Sequence, residues 1–301
     1  MKTFKRIGVL TSGGDAPGMN AAVRAVTRLA IAKGVEVMGI YNGYQGLIDG
    51  EIKPLHARDV SYIINRGGTM LYTARSAEFR TAEGVAKAAD VCRQNGIDGI
   101  VAIGGDGTFL TDAGIPCIGI PGTIDNDIAS TDMTIGFDTA MNTVVELVDK
   151  LRDTGESHAR CNVVEVMGRE AGDIALNTSI AAGAVTAVIK EIPTDFEYLF
   201  HKMDEARRNG KRNFIIITCE GMGPGYSEQL CKTIEEKTGI ETRLARLAHV
   251  QRGGSPTLRD RVLATQMGCA AVESLVAGQM KRVVCLRDNS IITMDIHEAL
   301  L

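Results

Sequence analysis

Tryptophan is absent from the 301 residues, aromatic residues make up 4% of the chain, and there are only 7 prolines. Basic side chains interleaved with aromatics, the usual equipment for stacking on single-stranded nucleic acid, are therefore missing, and no Lys/Arg run supplies a phosphate-tracking surface. The net charge is −4, from 37 acids against 33 bases, so an anionic ligand would need a local basic pocket. No apolar run approaches the ~18 residues of a membrane span, and the stretch Ile7–Leu10 is too short for a signal-peptide core. The 7 cysteines, at 92, 117, 161, 219, 231, 269 and 285, are scattered, odd in number and without a C-x-x-C pair. Neither a disulfide framework nor a zinc site is expected from them. These absences predict a soluble, cytoplasmic chain with no nucleic-acid partner and no membrane association.

Glycine is what the chain has in excess, 34 residues or about one in nine against a typical ~7%, with no collagen-like period to absorb it. Tight loops are the natural place for it. Short Val/Ile-rich runs recur at Ile7–Thr11, Glu36–Tyr41, Gly99–Ile103, Cys117–Ile120, Asn162–Met167, Ala187–Ile192, Asn213–Cys219, Leu244–Val250 and Arg282–Leu286. Most do not alternate with polar residues, as expected of strands buried on both faces. Between them, Asn20–Lys33, Ala82–Asn95, Phe137–Arg152, Phe196–Asn209, Glu228–Thr238 and Arg259–Val276 space their apolar residues as helices do. The alternation predicts a doubly wound α/β architecture with largely parallel sheets, and the length fits either two lobes or one large open-sheet domain. The helix from Phe137 is the candidate bridge between lobes and Gln251–Gly254 the candidate return, with strands and a helix near Ser290–Leu301 packing back on the first lobe.

One connection is anomalous. A parallel crossover normally takes about a dozen residues including its helix, yet only Thr108–Pro116 separate two of the expected strands. Either that helix is absent or the sequence lacks residues there.

Three strand ends carry polar, glycine-rich turns. Thr11-Ser12-Gly13-Gly14-Asp15-Ala16-Pro17-Gly18-Met19-Asn20 joins a strand to a helix, where backbone N–H groups can approach a phosphate at the positive helix end. Its spacing matches neither of the two commonest nucleotide fingerprints, and a merely tight turn would look the same. Gly104-Gly105-Asp106-Gly107-Thr108 fixes an acid between glycines, suited either to Mg²⁺ on a nucleotide or to an Asp-Gly turn. In Pro121-Gly122-Thr123-Ile124-Asp125-Asn126-Asp127 two acids two residues apart can divide labour between receiving a proton and facing a metal; an Asx-turn is the alternative. Three such turns fit the ligand-binding edge of an open α/β sheet. Further on, Arg160, Met167-Gly168-Arg169, Glu220, Arg243 and His249-Val250-Gln251-Arg252-Gly253-Gly254-Ser255-Pro256 gather basic and hydrogen-bonding groups suited to a phosphorylated ligand, although single arginines are usually surface residues. No serine or cysteine sits in a recognisable nucleophile context.

In this order, GVLTSGGDAPGMN, GGDGT, PGTIDND, VVEVMGRE and HVQRGGSP resemble the bacterial ATP-dependent 6-phosphofructokinases, over nearly the whole chain. The resemblance implies an allosteric, homotetrameric glycolytic kinase with an ATP-binding lobe at 1–134 plus 253–301, a fructose 6-phosphate lobe at 135–252, and the active site in the cleft between them. It implies that Gly14, Tyr44, Arg75, Asp106, Gly107 and Thr108 bind ATP, with Asp106 holding Mg²⁺. Thr123, Asp125 and Asp127 would form the reaction centre, Asp125 taking the proton of the sugar 1-hydroxyl, with Gly14 and Arg169 assisting. Met167, Gly168, Arg169, Glu220, His249 and Arg252 would hold the sugar phosphate, while Arg160 and Arg243 would reach in from a neighbouring subunit.

The resemblance also speaks to donor and effector. Gly107 and Gly122 stand where pyrophosphate-dependent relatives typically carry Asp and Lys, which favours ATP. Arg24, Arg28, Arg152, Gly183, Lys211 and Arg212 would contribute to an effector pocket between subunits, for ADP or phosphoenolpyruvate. Val185, however, replaces the family's usual Mg²⁺-binding Glu, and Ala57 a usual basic residue, so ADP activation is expected to be weak. Family members carry more helix after GGDG, so residues are expected to be missing between Phe109 and Thr111, and a tail after Leu301. NAD or lipid kinases share GGDGT-like turns but not the PGTIDND, MGR and HVQRGGSP motifs together. A regulatory subunit that had lost activity need not keep Asp106, Asp125 and Asp127.

Overall fold

The computed structural model describes residues 4–104 and 108–299, without the side chains of Thr108 and Phe109. The chain forms two compact units: Met1–Ile124, Ile128–Asp138 and Arg252–Leu301 make the first, Asp125–Asp127 and Thr139–Gln251 the second. In chain order the strands are β1 (Arg6–Thr11), β2 (Glu36–Ile40), β3 (Ile52–Leu55), β4 (Gly99–Ile103), β5 (Cys117–Ile120), β6 (Cys161–Val166), β7 (Thr186–Val188), β8 (Phe214–Cys219), β9 (Thr242–Arg246), β10 (Arg282–Arg287) and β11 (Ser290–Asp295). The helices are α1 (Met19–Ala32), α2 (Gly43–Asp49), α3 (Ala82–Gln94), α4 (Thr108–Asp112), α5 (Phe137–His158), α6 (Asp173–Ala181), α7 (Phe196–Arg208), α8 (Tyr226–Thr238), α9 (Leu258–Val276) and α10 (Ile296–Ala299). Among the described residues, no helix is long and apolar enough to cross a membrane.

The first unit is built on a seven-stranded sheet in the order β11-β10-β5-β4-β1-β2-β3. Its five inner strands are mutually parallel, while β3 and β11 run antiparallel to their neighbours. Every residue of β4 is buried, which is why its sequence, GIVAI, shows no alternation. At the edge, β3 tolerates Pro54, whose missing N–H would break an inner ladder. The second unit has a wholly parallel sheet, β7-β8-β6-β9, with the fully buried β8 (FIIITC) at its centre.

Several elements depart from the sequence reading. The run expected to be a strand through Val250 leaves the sheet after Arg246, and Ala248–Arg252 turns into a 3-10 helix entered by Ala248 at φ +46°. Of the Ala187–Ile192 run only Ala187 and Val188 pair in the sheet, in β7; Ile189 and Ile192 instead bridge each other. Helices α2 and α6 were unexpected. The former is short and contains Gly43 and Gly46; the latter, DIALNTSIA, buries Thr178 and Ser179 while Ile180 is exposed, so its apolar residues trace no single face. The short connection does hold a helix, the five-residue α4, and Gly114 at φ +86° turns the chain into β5.

Candidate functional site

The carboxyl ends of β1, β4 and β5 are neighbours, so their turns share one sheet edge. Thr11 lies opposite Ile103 and Ile103 opposite Ile120, and two further bonds carry the alignment into the turns: Ser12 N–H to Ile103 O (2.9 Å) and Gly104 N–H to Ile120 O (2.9 Å). Gly104, at φ +134°, lies so close to Ser12 that a Cβ would stand 2.0 Å from the Ser12 carbonyl oxygen. Helix α1 starts at Gly18 (φ +109°) with no side-chain cap and no acid in its first turn. Met19 N–H donates to Ala16 O (3.2 Å), and glycine-rich strand–helix turns of this kind offer the N–H groups that follow to a phosphate.

A second layer supports this edge. The buried Asn20 amide donates to the carbonyls of Arg66 (3.1 Å) and Gly67 (3.2 Å) and accepts from Met70 N–H (2.7 Å), fixing the loop that carries Arg75. Thr73 Oγ1 donates to Gly13 O (2.8 Å), and Thr11 Oγ1 donates to Tyr72 O (2.7 Å). Arg75 itself is exposed. Tyr44, which the resemblance assigns to ATP, is 3% exposed and its ring stacks on Phe79 at 3.9 Å between centroids. Gly14 and Arg252, assigned above to different ligands, are neighbours, since a Cβ on Gly14 would lie 3.2 Å from Arg252 Nη1. Gly122 packs on Met19 and Ile103, and Thr123 O accepts from Thr134 Oγ1 (2.6 Å). The expectations for Asp106 and Gly107, and for the Thr108 side chain, fall outside the described residues.

In the second unit, the acidic turn meets the loop after β6. Asp125 is 5% exposed, and its Oδ2 lies 3.8 Å from Arg169 Nε; Asp127 Oδ2 is 3.4 Å from Arg169 Nη1. One guanidinium thus spans both carboxylates while remaining largely exposed, and it can also meet a third anion. The Met167-Gly168-Arg169 loop is tightly shaped: Gly168 has φ +142° and Arg169, a non-glycine, φ +55°. Arg169 N–H donates to Glu220 Oε1 (3.0 Å) and Met167 N–H to Gln251 Oε1 (2.8 Å). Gly221 lies beneath, where a Cβ would be 2.4 Å from Arg169 O. His249 is exposed on the neighbouring 3-10 helix.

Other expected residues are not gathered here. Arg160 and Arg243 flank Glu241 at the amino ends of β6 and β9, the opposite sheet edge; Arg160 Nε to Glu241 Oε2 is 2.7 Å, and Arg243 pairs with the same carboxylate. The hydrogen bond from Arg160 holds the Glu241 carboxyl below its usual range. Of the expected effector residues, Arg152 donates to Ala182 O, beside Gly183, and to Asn213 Oδ1 (3.4 Å), and Arg212 donates to Glu156 O (3.2 Å). Lys211 Nζ lies 5.7 Å from the Phe214 ring centroid. Val185 packs against the core of the unit and Ala57 is exposed. Arg24 and Arg28 lie on α1, in the first unit. Among the described residues no three His, Cys, Asp or Glu side chains are placed to hold a metal ion.

Asn20 and Gln251 are the structural contributors that residue-type reasoning did not single out. Both lie inside quoted motifs, at GMN and HVQ, yet each acts on backbone groups of a distant segment, which leaves no trace in local spacing.

Comparisons with known proteins agree over the whole chain. The family model described as Phosphofructokinase matches residues 6–275. The chain is 54% identical over 302 residues to the ATP-dependent 6-phosphofructokinase of Clostridium tetani, covering 99% of this chain and 94% of that one, and the Bacillus subtilis protein of the same name gives the same figures. Among solved structures, phosphofructokinase from Saccharomyces cerevisiae superposes with a TM-score of 0.92 at 37% identity, over 98% of this chain and 45% of that one. The pyrophosphate-dependent phosphofructokinase from Marinobacter aquaeolei, 23% identical over 98% of this chain and 84% of that one, shares the fold with a TM-score of 0.85.

Proposed function

The chain belongs to the phosphofructokinase family, and from that premise we propose that it is an ATP-dependent 6-phosphofructokinase. It transfers the γ-phosphoryl group of ATP to the 1-hydroxyl of fructose 6-phosphate, giving fructose 1,6-bisphosphate and ADP. The observation that carries this reading is the nearly buried Asp125 ion-paired, with Asp127, to a largely exposed Arg169. Phosphoryl transfer has a loose transition state, so alignment and charge stabilisation dominate and a carboxylate suffices as base. Asp125 receives the hydroxyl proton. Arg169 stabilises charge on the transferring group and is released from Asp127 as it does so. Thr123 and the backbone of Gly14 help to place that group.

Glu220, His249, Met167 and Gly168 hold the sugar phosphate with Arg252. Its guanidinium beside Gly14 also lets Arg252 orient the phosphoryl donor. Arg75 and the turns after β1 and β4 hold ATP, whereas Tyr44 walls the site from within the core. Asp106, outside the described residues, would hold a Mg²⁺ ion through its carboxylate. The ion would neutralise charge developing on the phosphates. ATP is favoured over pyrophosphate because Gly122 is packed against buried Met19 and Ile103, leaving no room for a long side chain without displacement.

The enzyme works in the cytosol as a homotetramer. Arg160 and Arg243, on the sheet edge remote from the 167–169 loop, serve a neighbouring subunit's sugar phosphate. Arg152, Gly183, Lys211, Arg212, Arg24 and Arg28 contribute to an anion effector site between subunits, for ADP or phosphoenolpyruvate. Val185 offers no oxygen to a cation there, so Mg-ADP activates weakly. A coupled assay of fructose 6-phosphate with either ATP or pyrophosphate, with and without ADP, tests these points together. Turnover is expected with ATP only, with a small ADP effect on half-saturation. Asp125→Ser should lower kcat by about 10²- to 10⁴-fold while fructose 6-phosphate still binds. Unchanged turnover in that variant rejects the base assignment, and no turnover of the parent enzyme with ATP rejects the activity.

A further inference from the structure

Gln251 is fully buried, 0% exposed, on the 3-10 helix that also bears His249. Its position follows from the end of a sheet ladder. Strands β6 and β9 pair through Glu165 and Arg246, and Leu247 N–H adds one more bond to Glu165 O (3.1 Å). There the backbone of β9 leaves the sheet, so the next N–H on the β6 side, that of Met167, loses its regular partner. Gln251 Oε1 takes that N–H at 2.8 Å. Because Met167 N–H can only donate, the facing amide atom is the oxygen, which fixes the orientation of the Gln251 amide. Among the described residues its Nε2 has no hydrogen-bond partner. The side chain is thus held for its oxygen alone, a costly arrangement for a buried amide.

The segment it holds is under strain. Arg169 at φ +55° sits in a region that disfavours side-chain-bearing residues, directly after Gly168 at φ +142°. Two side-chain acceptors bracket the three residues, Gln251 on Met167 and Glu220 on Arg169. The outcome of the clamp is the placement of the Arg169 guanidinium on Asp125 and Asp127.

We propose that Gln251 is a positioning residue for the phosphoryl-transfer site: its side-chain carbonyl replaces the missing ladder rung at Met167 and keeps the 167–169 loop in the strained form that presents Arg169. This inference rests on the kinase reading above. The test compares Gln251→Met, which keeps length and apolar bulk but removes the acceptor, with Gln251→Glu, which keeps an acceptor oxygen at the same reach. Gln251→Met should raise the KM for fructose 6-phosphate and lower kcat, together costing at least about tenfold in kcat/KM for the sugar, with the KM for ATP changed less than about twofold. Gln251→Glu should recover most of the loss. Amide hydrogen exchange should be faster at 166–169 in Gln251→Met than in the parent, with other segments unaltered. The proposal is overturned if Gln251→Met matches the parent in sugar kinetics and exchange, if both substrates' KM values rise together with a general increase in exchange, or if Gln251→Glu is as impaired as Gln251→Met. A parent enzyme inactive with fructose 6-phosphate and ATP is the separate failure of the kinase reading, and the exchange comparison still reports whether the clamp exists.

Discussion

Gly104 shows how little freedom a single residue at the carboxyl edge of the first sheet has. Its φ of +134° strains any side chain, and a Cβ would lie 2.0 Å from the Ser12 carbonyl oxygen and 2.9 Å from its carbon. Backbone, not a flexible side-chain tip, would have to move. Gly104→Ala should therefore destabilise the fold by about 3 kcal/mol or more, read as a lower melting temperature in calorimetry, and should weaken ATP more than fructose 6-phosphate. Gly13, by contrast, has nothing within 4 Å of its would-be Cβ, so only its φ of +84° resists substitution. At this scale, glycine-rich turns and clustered acids were legible because their chemistry is local. What was not legible was direction. The ring of Tyr44 packs on Phe79 within the core cluster, and the amides of Asn20 and Gln251 serve backbone groups far along the chain.

Among the elements, long helices and inner strands were readable because burial imposes a period, or the lack of one, over many residues. The boundaries that failed lie where a local backbone event overrides composition, as when Ala248 at φ +46° diverts an apolar run out of the sheet. Caps behave more simply. Thr81 Oγ1 accepts from Gly84 N–H (3.1 Å) at the start of α3 and donates to Glu78 O (2.7 Å), tying the helix to the preceding 3-10 turn. Thr81→Ala should cost about 1 kcal/mol, measured by urea unfolding, whereas Thr81→Ser should retain most of it. Because α3 packs beside α2 within the core cluster that includes Tyr44 and Phe79, the loss should appear in stability and leave catalytic constants nearly unchanged.

Over the whole molecule the cysteines report on integrity in both units. Six are buried and Cys269 is partly exposed. Burial pushes the thiols of Cys92, Cys117 and Cys161 up to about 12 and that of Cys231 to about 11, from an ordinary 9.0. A thiol-specific reagent that needs the thiolate should label no more than Cys269 in the native protein at pH 8, and all 7 after denaturation. The sign of the linkage is fixed: the unfolded chain loses these protons first, so their contribution holds below pH 9 and is lost as pH rises toward 12, and alkaline unfolding should accompany the labelling. The doubly wound α/β class was visible in the alternation of elements. The chain excursion that gives only Asp125–Asp127 to the second unit was not, since three residues carry no compositional boundary.

The first unit is discontinuous, and this bears on how the protein is made. Helix α1 packs on α9 closely enough that a Cβ on Gly268 would lie 2.8 Å from Ala25 Cβ, and β5 pairs with β10. Both partners follow Gln251 in the sequence, whereas the main body of the second unit, Thr139–Gln251, is contiguous. During translation, that second unit can therefore leave the ribosome whole while the earlier-made amino-terminal segment still lacks part of its sheet and the helix that packs beside α1. At ~5–20 residues per second the wait for α9 and β10 lasts several seconds at least. Over that interval the apolar face of α1 and the open edge of β5 are the surfaces a nascent-chain chaperone would meet.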